Sequence, residues 1–196
     1  MNSQNPSDPL SLFRTPAINF CPACGAAVES KIPAGDTLLR YVCTRCETVH
    51  YQNPKLVVGT ISVWEDRILL CKRAIEPRHG KWTLPAGFME NDETVAQAAL
   101  RETVEEACAN VELGPLFSII SVPHINQVHV FYLARLLDLD FRAGVESLAV
   151  ELFDEATIPW PELAFRTVAR TLKCYFEDRA RGDLRLHCED ILPRAP

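Results

Sequence analysis

Residues 87–106 read GFMENDETVAQAALRETVEE and decide how the rest of the chain is read. Between Glu93 and Val111, Leu100, Val104, Ala107 and Val111 fall on one stripe at helical spacing, with Ala96 beside it. The spacing predicts a helix over about Glu93–Ala109 with that stripe toward the core, and Glu102, Glu105 and Glu106 on the opposite side. Glu102 and Glu106 are i, i+4 neighbours, and like charges at that spacing cost a helix about 0.2–0.5 kcal/mol per pair. Arg101, four residues before Glu105, is the cation placed to offset them. A helix of this composition is either a solvated acidic face or a cluster of hard oxygen ligands for Mg2+ or Mn2+, which take carboxylates, waters and phosphate oxygens.

Upstream, Asn53-Pro54 breaks the chain. Two runs rich in Val, Ile and Leu follow, Lys55–Trp64 and Arg67–Arg73, which predict strands joined by a Glu65-Asp66 turn. Gly80–Phe88 reads as a loop. Downstream, strands are expected at Leu116–Val122, Gln127–Asp138 and Leu148–Phe153, and a second helix over Trp160–Arg181, stopped by Gly182. Strands and two helices without βαβ regularity point to an α+β domain.

Cys21-Pro-Ala-Cys24 and Cys43-Thr-Arg-Cys46 form two CxxC pairs. Two such turns joined by a hairpin supply four sulfurs at the corners of a tetrahedron, which suits structural Zn2+; the competing readings are free thiols or two disulfides. Cys71, Cys108, Cys174 and Cys188 show no pairing and are expected to pack. His50 is expected at the surface. The domains expected are a tail at 1–19, a zinc ribbon at 20–51 and the main domain at 52–190.

The chain has 196 residues, 47% of them hydrophobic. At this length roughly 70% of the unfolded surface is buried on folding, so no disulfide staple is required. The net charge of −6 argues against a general phosphate-backbone binder. No apolar run approaches the roughly 20 residues that span a bilayer. Met1–Asn19 lacks the pattern of a targeting signal, so a cytoplasmic protein is expected, with no membrane partner.

Gly87, Glu93, Arg101, Glu102, Glu105 and Glu106 stand in the order G-x5-E-x7-R-E-x-x-E-E. This resembles the box of the Nudix hydrolase superfamily; six specified positions match by chance on the order of 10^-5 over the chain. Thr103 stands where the family prefers a bulky aliphatic, and Cys108 where it usually has Gly. The resemblance extends to the ribbon followed by Tyr51–Lys55, to Lys72-Arg73 and to Gly80–Gly87, and this pattern is similar to that of the zinc-ribbon ADP-ribose/FAD diphosphatases. It covers roughly Cys21 to Cys188.

The resemblance implies a Nudix α/β/α sandwich with a mixed sheet, and Mg2+- or Mn2+-dependent hydrolysis of a diphosphate joining a nucleoside to a second group. Glu102 and Glu106 then correspond to metal ligands and Glu105 shares a metal. The Ala86 carbonyl completes the site, Glu93 orients or ligates through water, and Arg101 holds a carboxylate in place. The base is a box glutamate, Glu146 or Glu151. Arg73 and Lys81 are candidates for phosphate contact and Trp82 for stacking on substrate, against surface and core roles. His124 and His129 read as structural or surface residues. NADH pyrophosphatases of this architecture carry a Ser-Gln-Pro-Trp-Pro-Phe-Pro-x-x-Ser array; Ser121–Gln127 here reads SVPHINQ, so ADP-ribose or FAD is the favoured substrate over NADH. A small nucleotide is the expected partner, with nucleic acid disfavoured and a homodimer a family expectation. A sensor or nucleic-acid-binding module that has lost activity is the competing class. Such a module typically loses carboxylates, and none is lost here.

Overall fold

The computed structural model describes residues 17–193; most of the expected N-terminal tail lies outside them. The chain divides into two compact units after Pro54.

The first unit is a three-stranded antiparallel sheet of β1 (Val28–Lys31), β2 (Arg40–Cys43) and β3 (Val49–His50). Val28 pairs with Cys43, which closes the hairpin over the two CxxC turns. His50 is half-buried rather than a surface residue, and its Nε2 is buried without a hydrogen-bond partner.

The second unit is built on a mixed sheet. Its strands are β4 (Lys55–Trp64), β5 (Arg67–Arg73), β6 (Trp82–Thr83), β7 (Ala86–Phe88), β8 (Val111–Val122), β9 (Gln127–Leu136), β10 (Ser147–Phe153) and β11 (His187–Asp190). The order is β10-β5-β4-β9-β8-β11, with β6 on β5 and β7 on β4. β4 runs parallel to β9, and β11 parallel to β8. Alternation along the strands sends side chains to two faces. Ile61, Ile68, Leu70 and Phe131 meet Val168, Leu172 and Phe176 of α2 (Arg166–Arg181). Val58 and Val130 meet Ala98 and Ala99 of α1 (Val95–Ala107), and Leu69 and Cys71 meet its Ala107. The sheet is therefore sandwiched between the two helices, as the expected α/β/α architecture requires.

β4 and β5 match the predicted bounds. The 80–88 loop instead contains β6 and β7. β8 begins at Val111, five residues before the predicted start, because register shifts on either side of Leu116 carry the ladder past Gly114-Pro115. The second helix begins only at Arg166. Trp160–Glu162 forms a separate 3-10 turn, and Leu163–Phe165 is diverted into extended backbone that bridges Trp82. β11 has no apolar alternation and went unpredicted; side-chain pairs with α2, including Arg170–Glu189, help hold this edge.

Candidate active site

Helix α1 starts at a capping box, in which the Gln97 amide donates to Thr94 Oγ1 at 3.2 Å and the Thr94 amide donates to Gln97 Oε1 at 2.8 Å. It ends at Cys108 in the left-handed region, φ 46°. The face buried between these ends is not the predicted one. Ala98, Ala99, Glu102, Thr103, Glu106 and Ala107 are buried, whereas Val104 is 55% exposed. The reason is steric. Ala98 and Ala99 let the helix approach β4 closely enough for Thr103 Oγ1 to lie 2.7 Å from Thr60 Oγ1. Thr103 is thus central to the interface, and its hydroxyl donates to the Ala99 carbonyl at 2.7 Å. Glu102 and Glu106, one and two turns along the same stripe, are carried inward with it.

Their carboxylates meet β7. A Cβ on Gly87 would lie 2.3–2.5 Å from the Glu102 carboxyl atoms, so only glycine leaves room for that side chain. The Ala86 amide donates to Glu106 Oε2 at 3.1 Å. Burial pushes the Glu106 carboxyl up to about 8, against the lowering effect of this amide and the Arg73 charge. Burial also raises Glu102. Glu105 points outward, with its side chain exposed.

Arg101 organises the cluster. Its Nε and Nη2 bind both oxygens of Glu93 at 3.0 and 2.8 Å; Nη1 reaches Glu102 at 2.7 Å and Glu105 at 3.0 Å; Nη2 also donates to the Phe88 carbonyl at 3.1 Å. The forked guanidinium makes this possible where an ammonium would not. The Arg101 bonds and the Glu90 amide hold Glu93 down to about 2.

The surrounding candidates differ in their commitments. Arg73 donates to the Pro77 carbonyl and lies over the Phe165 ring. Lys81 pairs with Glu162 at 2.6 Å. Trp82 is 9% exposed and packs edge-on against Phe153, so its ring belongs to the core and is not free to stack on a substrate. Glu146 acts electrostatically on both Glu102 and Glu106. Its chain is led there by the Gly144 amide, which donates to the Glu106 carbonyl at the helix end. Glu151 is exposed on β10 opposite Leu70. His129 is buried between Gln127 and Thr167, a structural role as expected. The backbone contributions of Ala86 and Phe88 carry no side-chain signal and were readable only through the resemblance or not at all.

In the first unit, the sulfurs of Cys21, Cys24, Cys43 and Cys46 all lie within 4.8 Å of one another. The amides of Arg45 and Cys46 both donate to Cys43 Sγ at 3.4 Å. Among the remaining cysteines, Cys71 and Cys174 are buried, but Cys188 is exposed and does not pack as expected.

Among the described residues, no helix is long and apolar enough to cross a membrane. Residues 19–52 match the zinc-ribbon family described as Nudix N-terminal, and residues 53–180 match the NUDIX domain. An ADP-ribose pyrophosphatase of Methanocaldococcus jannaschii is 34% identical over 119 residues, 59% of this chain and 69% of that one. An NAD-capped RNA hydrolase NudC of Photobacterium profundum is 30% identical over 159 residues, 79% of this chain and 56% of that one. A solved NUDIX hydrolase from Nitrosomonas europaea is 55% identical, with a TM-score of 0.87, covering 90% of this chain and all of that one. With its acidic box intact and its fold shared, the chain belongs to the Nudix hydrolase family and carries that family's N-terminal zinc-ribbon domain.

Proposed function

We propose that this protein is a divalent-cation-dependent diphosphatase acting on ADP-ribose or FAD. The observation that carries the reading is the convergence of Glu102 and Glu106 beneath the Ala86–Gly87 backbone, with Glu105 alongside and Arg101 fixing the set. Two buried carboxylates, one of them pushed up to about 8 by burial, fit Mg2+ or Mn2+. Glu102, Glu105, Glu106 and the Ala86 carbonyl would hold the ion. When bound, it neutralises the diphosphate and lowers the pKa of an attacking water. Arg101 holds Glu102 in place, and Glu93 in turn braces Arg101. Glu146 is the side chain we assign to accept the water's proton, because its charge is felt by both buried carboxylates. Arg73 and Lys81 are assigned to the substrate phosphates; Lys81 would exchange Glu162 for phosphate. The four ribbon sulfurs are assigned to structural Zn2+. The protein is proposed to act in the cytoplasm, as a homodimer, on a small nucleotide.

The name of the Methanocaldococcus jannaschii relative supports ADP-ribose, and the missing Ser-Gln-Pro-Trp array weighs against NADH and leaves ADP-ribose or FAD favoured. A second reading, an NADH- or NAD-cap-directed enzyme, is supported by the longer match to NudC, which spans 79% of this chain. A hydrolysis panel with Mg2+ and Mn2+ over ADP-ribose, FAD, NADH, NAD-capped RNA and dinucleoside polyphosphates separates them. ADP-ribose or FAD is expected to be cleaved fastest, and Glu105→Gln and Glu106→Gln to abolish cleavage. Retained activity in both variants would sink the metal-site assignment; cleavage of none of these substrates would sink the substrate class.

A further inference from the structure

On the sheet face covered by α2, opposite α1, lies a second cluster of ligand-type side chains. Arg170, Cys174 and Asp178 recur every four residues along α2 and so share one stripe. His187 and Glu189, two apart on β11, share one strand face. Cys174 Sγ, a ring nitrogen of His187 and a carboxylate oxygen of Glu189 all lie within 4.8 Å of one another, and Sγ is 3.7 Å from Glu189 Oε1. Zinc bound tetrahedrally at its usual bond lengths sets neighbouring donors roughly 3.3–3.8 Å apart, so the three need only a small contraction to close on an ion.

The histidine is held as a ligand is held. Its Nε2 lies 2.7 Å from Asp178 Oδ2, which also accepts the Arg185 amide, and Asp178 is 1% exposed. A carboxylate behind a histidine fixes its tautomer and ring plane, and here it leaves Nδ1 as the nitrogen available to an ion. The Phe117 ring, 5.1 Å from the imidazole between centroids, packs against it. None of these groups takes part in the diphosphate chemistry assigned to α1.

We propose that Cys174, His187 and Glu189 form a three-ligand site for a divalent ion of the zinc class, with a fourth position open to water. Sulfur, imidazole and carboxylate together select such an ion over Mg2+ or Ca2+. Arg170 is the resident competitor: its Nε and Nη2 hold the two Glu189 oxygens at 2.6 and 2.5 Å. The Arg170 side chain is 39% exposed and swings into solvent when the ion takes its place. Arg170 therefore sets the affinity, and the loaded ion ties the edge strand β11 to α2.

The test uses the full-length protein with one equivalent of Zn2+ in the ribbon, free Zn2+ removed and Mg2+ in saturating excess, titrated with Co2+. One equivalent is expected to produce a thiolate-to-cobalt charge-transfer band in the near ultraviolet. Cys174→Ser should remove the band, and Cys188→Ser should leave it unchanged. His187→Gln should weaken binding at least about tenfold, and Arg170→Gln should tighten it by about tenfold. Circular dichroism establishes that each variant is folded. The proposal is overturned if no band forms in either the parent or Arg170→Gln. It is equally overturned if the band survives in Cys174→Ser, or if neither His187→Gln nor Arg170→Gln changes the affinity.

Discussion

Gly87→Ala separates the chemistry of the α1 site from its folding. The new Cβ would fall 2.3 Å from Glu102 Oε2, 2.4 Å from Cδ and 2.5 Å from Oε1. Ordinary contact begins near 3.4 Å, so something must retreat by about 1 Å. The backbone is poorly placed to do so, since Gly87 is paired with Val58 in the β4–β7 ladder. The carboxylate is the freer partner, being the end of a side chain tethered by one Arg101 bond at 2.7 Å. A misplacement of about 1 Å at a reacting centre costs on the order of 100-fold in rate, whereas loss of one partly exposed ion pair costs at most about 1 kcal/mol of stability. Hence kcat should fall about 100-fold and the Mg2+ concentration for half-activity should rise, with a melting temperature lower by only a few degrees. Gly59→Ala is the contrast. Its Cβ would meet the Pro85 carbonyl oxygen at 2.2 Å and Ala86 Cβ at 2.4 Å, where the obstacle is the β7 segment itself, and overpacking of that kind costs about 1–3 kcal/mol. Steady-state kinetics over a Mg2+ series, on the substrate found by the panel, and calorimetry on both variants provide the readouts. If Gly87→Ala keeps kcat within threefold of the parent, or loses as much stability as Gly59→Ala, the close fit of Gly87 to Glu102 is not what the site depends on.

Two further outcomes follow from the same helix. Cys108 sits at φ 46°, a conformation that costs a non-glycine residue about 1 kcal/mol; Cys108→Gly should raise the melting temperature by roughly 2 °C, and a fall would refute that account. Burial raises the Glu106 carboxyl from 4.5 to about 8, so the metal-free native state holds a proton that the unfolded state has released. The associated stability is fully present below about pH 4.5 and is lost as pH rises through about 8, with an upper bound of about 5 kcal/mol. In EDTA, denaturant melts at pH 6 and pH 8.5 should show the part of that loss lying above pH 6, at most about 3 kcal/mol, and Glu106→Gln or saturating Mg2+ should flatten it; equal slopes in all three would refute the assignment.

The strands β4 and β5 were legible because their buried runs are rich in Val, Ile and Leu and bounded by turns. The metal-type residues were legible through the box pattern, which places them in sequence whatever the packing. What periodicity missed was the helix face, because it scores Leu100 and Val104 as core and has no term for two alanines that admit a strand. Small residues at the contact brought Thr103, Glu102 and Glu106 inward and left Val104 outside. β11 was illegible for a related reason: HCED has no apolar alternation, and its pairing depends on charged partners on α2 that are distant in sequence.

The structure also sharpens what the acidic balance means. Residues 90–106 hold six acids against one base, nearly the whole net charge of −6. These acids are not equivalent. Glu90, Asp92 and Glu105 are exposed, where water screens them. Glu93 and Glu102 share the Arg101 fork. Glu106, 5% exposed, accepts the Ala86 amide and feels Arg73 through space. One buried carboxylate is thus left short of positive charge, and it is the one most deeply set beneath the β7 backbone. A chain selected for stability alone would place an apolar side chain there, since a buried acid with incomplete pairing costs more than it returns. The conflict is local, lies on the helix that otherwise has a well-formed cap and close alanine packing, and would be relieved by the divalent cation proposed for this site. Violations of local rules concentrate where function requires them, and Glu106 is the residue of this chain at which that requirement is written most plainly.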